Sequence, residues 1–179
     1  MRVMGVDPAL AGATGFGVVE VLRGSATALH FGALKLPAQA SVSVRLREIH
    51  KLMVKLLEEF SPDAVAVEAV FTALNMKTAL KLAEVRGVVL LAAAQAAIPA
   101  HSYSPREVKA SIAGYGAASK QQMQQMVGMQ LGLRTCPEPS DAADALAVAL
   151  CHAHTAAAQA RIAAATGQEK YRLVRTSAF

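Results

Sequence analysis

Short, wholly apolar runs alternate with stretches of helical period along this chain, and the switch points between them set its order of elements. Val3 to Val6 is the first apolar run, and it stops at Asp7. Two longer β-patterned stretches follow, residues 14–22 and 26–36, joined by a turn around Arg23-Gly24-Ser25. Three successive strands with short links predict an antiparallel meander. From residue 41 to 60 the period changes. Val44, Ile49, Leu52, Leu56 and Leu57 fall near one helical face, with Arg45, Arg47, Lys51, Lys55, Glu58 and Glu59 mostly elsewhere. Ser61-Pro62-Asp63 stops that helix. Residues 64–67 are apolar at every position, the pattern of a strand buried on both faces, and the run ends in Glu68.

A long apolar helix over about residues 76–97 is closed by Pro99, and residues 100–103 predict a fifth strand. Ser104 and Pro105 mark a helix start, with Ser at the cap and Pro in the first turn. The Gly114-Tyr115-Gly116 loop breaks that helix, residues 119–131 form another, and Pro137-Glu138-Pro139-Ser140 leads into the last one from Asp141. The order β-β-β-α-β-α-β-α-α-α predicts an α/β protein, a mixed five-stranded sheet with helices packed on it. Residues 1–160 are expected to form a single domain and residues 161–179 a basic, poorly ordered tail.

Composition narrows the class. Of 179 residues, 54% are hydrophobic, which excludes global disorder. Cys136 and Cys151 have no CxxC or zinc-like spacing and read as buried free thiols of a reducing cytoplasm. No secretory signal precedes the first strand. The Ala-rich stretch 142–165 contains Asp144, His152, His154, Gln159 and Arg161, which makes spanning a membrane costly and predicts a soluble, cytoplasmic protein. His152 and His154, two apart on a helix, diverge and do not form a metal pair.

Charge adds more by its distribution than by its total of +5. Residues 136–160 hold three acids and no Lys or Arg, whereas 101–135 and 161–179 on either side are each net basic by three. A basic chain with a local acid cluster suits a protein that grips a polyanion and holds metal at one point; an ordinary basic surface is the plainer alternative.

Two strands end alike, "VMGVD" in Asp7 and "AVAVE" in Glu68. If they are parallel neighbours, both carboxylates emerge at one edge of the sheet, where open α/β sheets place their sites. "SDAADALAVA" then starts a helix with Asp141 and Asp144 three apart on one face. Each acid alone has a plainer role, as an N-cap, a dipole partner or an Arg partner. Together, four carboxylates repel unless a cation intervenes. All-oxygen ligands select Mg²⁺ or Mn²⁺. Two such ions ~4 Å apart activate water and stabilise the leaving oxygen in phosphodiester cleavage. Asp7 is expected to bridge the ions, with Glu68 and the Asp141/Asp144 pair on the flanks. Gly12, Gly15 and Gly17 are expected to let the backbone approach a ligand.

The blocks "GVDPAL…TGFGVVE", "VAVEAVFTALNMKTALKLAEVRGV", "YSPREVKASIAGYGAASKQQMQQMV" and "DAADALAVALCH" resemble, in order and spacing, the RuvC-type Holliday junction resolvases over about residues 2–155. The resemblance implies a ribonuclease H-like fold with helices on both sheet faces. It also implies a symmetric homodimer that nicks two strands of four-way junction DNA with Mg²⁺, two ions per site with Mn²⁺ able to substitute, leaving 5′-phosphate and 3′-hydroxyl ends. It assigns Asp7, Glu68, Asp141 and Asp144 to metal and catalysis, Phe71 to base contacts near the cut, and Lys109 and Lys120 to the DNA backbone or scissile phosphate. Lys77, Lys81 and Arg86, at i, i+4 and i+9 on the long helix, form no strict stripe and are assigned to DNA only loosely. A branch-migration helicase complex is the implied partner, and the small-residue face of the long helix (Ala79, Leu80, Ala83, Val88) the expected dimer contact. Ala9 replaces the family's usual Gly after "DP"; if that position needs a positive φ, it adds strain of about 1 kcal/mol.

Rival readings are weaker. Sugar-kinase and actin-like ATPases open similarly but need a second large domain. A short ribonuclease H-like RNA-processing nuclease does not match the Asp-x-x-Asp helix or the Glu-x-x-Phe block. A junction-binding scaffold with a broken metal site would not need all four acids.

Overall fold

The computed structural model describes residues 1–9, 12–69 and 76–166. Five strands, β1 (Arg2–Asp7), β2 (Ala13–Leu22), β3 (Ser25–Lys35), β4 (Ala64–Glu68) and β5 (Ala100–Tyr103), form one sheet in the order β3-β2-β1-β4-β5. β1, β2 and β3 are the antiparallel meander expected, and β4 and β5 add to it in parallel. Five helices complete the chain: α1 (Val42–Phe60), α2 (Met76–Gln95), α3 (Pro105–Ala113), α4 (Lys120–Gln130) and α5 (Ser140–Thr166). The element order is the one the hydrophobic pattern predicts. α5 runs on to Thr166, so the expected domain boundary at 160 falls inside the helix; Phe71 and the segment 167–179 lie outside the described residues.

Helices cover both faces. Because strand side chains alternate, one parity of β1, β2 and β4 (Met4, Val6, Phe16, Val18, Val65, Val67) packs with Ile49, Met53, Leu56, Val85 and Val89 of α1 and α2. The other parity (Val3, Val19, Ala66) packs under α5, α3 and α4, with Leu146, Leu150, Val108, Ile112 and Val127. The helices begin where their caps dictate. Ser41, Ser104 and Ser119 each accept a backbone N–H at an N-terminus, the latter two in reciprocal boxes with Glu107 and Gln122.

Three glycines set how deeply α5 sits. A Cβ on Gly5 would lie 2.0 Å from the carbonyl oxygen of Ala145 and 2.8 Å from the amide of Ala149. On Gly15 it would lie 1.9 Å from the carbonyl oxygen of Asp141, and on Gly17 2.7 Å from Leu146. The helix backbone therefore rests on bare strand backbone. This corrects the expectation for Gly15 and Gly17, whose missing side chains admit a helix rather than a ligand; Gly12 has only the Ala9 methyl nearby, at 3.8 Å.

The far pole of the sheet is tied by Arg2. Its amide donates to Asp63 Oδ2 (2.7 Å), its guanidinium to Glu20 (2.7 Å) and to the Phe60 carbonyl (3.2 Å), and its carbonyl accepts from the Asp63 amide (2.9 Å). Two local expectations are corrected, for Arg45 and Cys136, and the condition set on Ala9 is resolved. Arg45 is only 8% exposed and is not on the solvent face: its guanidinium donates to the carbonyls of Pro37, Ala38 and Ala40, closing the β3–α1 loop. Ala9 is not among the positive-φ residues, which outside glycine are Arg23, Ser61 and Ala97 among the described residues, so no strain arises there. Cys136 is exposed, while Cys151 is buried, and both are free thiols. Arg86 donates to Ser102 Oγ (2.7 Å) and so braces β5. Among the described residues no helix is long and apolar enough to cross a membrane.

Gly5→Ala should cost about 3 kcal/mol, the upper range for overpacking a tight interior, because backbone rather than a movable side chain opposes the new methyl. Urea unfolding followed by circular dichroism checks this; a loss no larger than that of an exposed-site substitution would show that α5 is not seated on the sheet in this way.

Candidate metal centre

Register and parity deliver the first two acids. β1 and β4 run parallel with Val6 opposite Val67, which puts Asp7 and Glu68 on the next rung at the same sheet edge. Asp7 shares the parity of Val3 and Gly5, and Glu68 that of Ala66, so both side chains turn to the face covered by α5. Asp7 also stands opposite Gly15, the residue against which the Asp141 carbonyl rests. The close seat of α5 thus brings its first turns, with Asp141 and Asp144, over the two strand tips. Thr14, buried, donates to the Ala9 carbonyl (2.7 Å) and holds the chain that leaves Asp7.

The electrostatics are those of crowded carboxylates. Asp7 is pushed from 3.8 up to about 9, first by burial, then by a hydrogen bond with Glu68 and by the charges of Glu68, Asp144 and Asp141. Glu68 is also raised, by burial and by Asp144, against the lowering effect of its bond with Asp7 and of Lys109 and Lys120. Asp144 accepts a salt bridge from Lys120 Nζ at 3.0 Å. Glu68, Asp144, Lys109 and Lys120 line a cleft of about 230 Å³, floored by Val108, Met123, Ala147 and Val148. Lys109 and Lys120, to which the resemblance gives a DNA role, thus line the same cleft as Glu68 and Asp144.

The donor set suits a hard divalent cation: oxygen only, half-buried, and short of compensating charge. The carboxylates share an edge but are not closed into a cage; among the described residues no three His, Cys, Asp or Glu side chains converge as a ready ligand set. Asp7 and Glu68 meet through a hydrogen bond, while Asp141 and Asp144 act on Asp7 through their charge. His152 and His154 take no part. His152 is buried with Nδ1 2.8 Å from the Tyr103 hydroxyl, and His154 faces Ser111 Oγ at 3.1 Å. Sequence reasoning missed Gly5 and the helix-seating role of Gly15 and Gly17; the signal was small residues at one strand parity facing an Ala-rich helix.

Comparison with known proteins places these features. The family model described as "Crossover junction endodeoxyribonuclease RuvC" matches residues 3–152. A protein of that name from Syntrophomonas wolfei is 47% identical over 155 residues, covering 87% of this chain and 90% of the relative. The structure of Thermus thermophilus RuvC superposes with a TM-score of 0.82 at 39% identity, over 89% of this chain and 97% of that one. T. thermophilus RuvC in complex with Holliday junction substrate superposes at 0.80 with 37% identity, over 88% and 96%.

The raised Asp7 predicts a pH dependence without metal. Between 3.8 and about 9 the folded protein keeps a proton that the unfolded chain has lost, so stability is full below 3.8 and falls as pH climbs through 9. In EDTA, denaturant unfolding between about pH 5 and about pH 9 should show wild type losing stability and Asp7→Asn losing distinctly less. Parallel curves for the two proteins would rule out a crowded, buried Asp7.

Proposed function

The chain belongs to the RuvC family of crossover junction endodeoxyribonucleases, and on that footing we propose that it resolves four-way DNA junctions by Mg²⁺-dependent, paired and symmetric hydrolysis of phosphodiester bonds. The observation that carries the metal-dependent reading is the delivery of Asp7 and Glu68 to one sheet edge, with Asp141 and Asp144 near enough that their charges help drive Asp7 up to about 9. A relative solved with a Holliday junction substrate supports junction DNA as the substrate.

In this reading Asp7, central and facing α5, would hold divalent metal together with Glu68, Asp141 and Asp144. The ions, when bound, supply the activated water and stabilise the leaving 3′ oxygen, so that 5′-phosphate and 3′-hydroxyl ends result. Lys109 and Lys120, on the wall of the same cleft, donate N–H groups to the phosphate and hold it against the acids. Phe71, three residues beyond Glu68, is assigned to stacking on a base beside the cut. Lys77 and Lys81, near the start of α2, extend the basic approach.

Two opposed strands need two sites, and a two-fold dimer supplies them in matching geometry. α2 carries a fitting surface. Met76, Leu80 and Leu91 are 76, 59 and 52% exposed, and with Ala83 and Gly87 they recur at intervals of three or four, so they share one face. Of the residues expected there, Leu80 and Ala83 are exposed, whereas Val88 packs inward. Delivery by a branch-migration helicase complex and action in the cytoplasm complete the reading.

An end-labelled synthetic four-way junction and a linear duplex of the same sequences, each with Mg²⁺ or EDTA, test it. Paired nicks should appear in the junction alone and only with Mg²⁺. Asp7→Asn should abolish them while binding the junction as well or better, since it removes negative charge near phosphate. Cutting in EDTA, or equal cutting of duplex, would overturn the proposal. Leu80→Glu with Leu91→Glu, both exposed and so harmless to folding, should shift the protein from dimer to monomer by light scattering after size exclusion, and an unchanged mass would exclude the α2 face.

A further inference from the structure

Lys120 occupies a position that its own helix does not favour. It is the first residue of α4, where the helix dipole presents its positive end and a cation is unfavourable. The N-terminus of α4 is already satisfied by Ser119 and Gln122 and has no acid in its first turn, so the lysine does nothing for the helix. What it does contact is Asp144, with Nζ 3.0 Å from Oδ2. Among the described residues this is the one salt bridge made by any of the four acids. Lys109 lines the same cleft without such a contact.

We propose that the Lys120 ammonium is a resident counter-cation that holds Asp144 in the absence of a divalent ion and must be displaced for Asp144 to ligate one, so that Lys120 sets the metal affinity of the site. The inference rests on the metal-site reading above. The ammonium and a divalent ion compete for one carboxylate edge and repel each other, so both cannot keep close contact with it. The lysine can leave at little cost: its side chain is 58% exposed on a flexible four-carbon stem, against 33% for Asp144. Displaced, it remains on the cleft wall where a phosphate would lie. Metal occupancy and a free Lys120 are then linked states of one switch, each favouring the other.

Calorimetric titration of Mn²⁺ into the DNA-free protein tests this. Lys120→Met keeps length, removes charge and takes a cation away from a helix N-terminus, so folding is not weakened. Its Mn²⁺ Kd should fall roughly five-fold, the worth of a half-exposed ion pair. Lys120→Arg, which keeps the charge, should stay at the wild-type value. Lys109→Met, which removes an equal charge from the same cleft, should change Kd by no more than roughly two-fold. An unchanged or weaker Kd for Lys120→Met, or equal tightening in both methionine variants, would overturn the inference. Failure of wild type to bind Mn²⁺ any better than Asp7→Asn does would instead remove the metal site itself, and this inference with it.

Discussion

The chemistry of this protein depends on how closely one helix can lie on a sheet. α5 reaches the strands only because Gly5, Gly15 and Gly17 present no side chain beneath it; a single Cβ at Gly5 or Gly15 would lie about 2 Å from a helix carbonyl oxygen. The Ala-rich composition of the helix serves the same end, since Ala142, Ala145 and Ala149 are fully buried and take little room. Were the contact built from Leu and Phe, the helix would stand farther off, and Asp141 and Asp144 would be carried away from Asp7 and Glu68. Close packing here is what brings the four carboxylates to one edge.

Gathering them has an electrostatic cost that the rest of the fold offsets. Asp7 and Glu68 are both pushed toward their neutral forms. Two apolar layers, one on each face of the sheet, supply the stability that tolerates this. Local rules are broken in the same neighbourhood, with like charges converging and a lysine at the wrong end of a helix. Such breaches are expected where function, rather than folding, fixes the residue.

Much of this was legible in the sequence because it was written in periods and punctuation. The change from apolar runs to helical spacing, and the Ser, Pro and Gly residues at the switch points, carried the whole element order. Acids at the ends of two apolar runs were visible as a pair. Other features depend on three-dimensional neighbours. That Gly15 faces a helix, not a ligand, follows from the β1–β2 register, and only the sheet order reveals it. Arg45 looked like a solvent-facing charge, yet the loop carbonyls of Pro37, Ala38 and Ala40 draw it inward. The Lys120–Asp144 contact joins residues from two helices that share no sequence pattern.

The knot around Arg2 gives the sheet a direction. At that pole the first strand is fastened to Asp63, Glu20 and Phe60 and, through Met1, to the end of β2. At the opposite pole Pro8 has no amide to donate, and Asp7 is crowded by the charges of Glu68, Asp144 and Asp141. Local opening is therefore cheapest at one end of the strands and dearest at the other. The molecule is clamped like a book at its spine, and the pages' free edge is where, in the proposed reading, a cation and a phosphate would enter and a cut strand would leave.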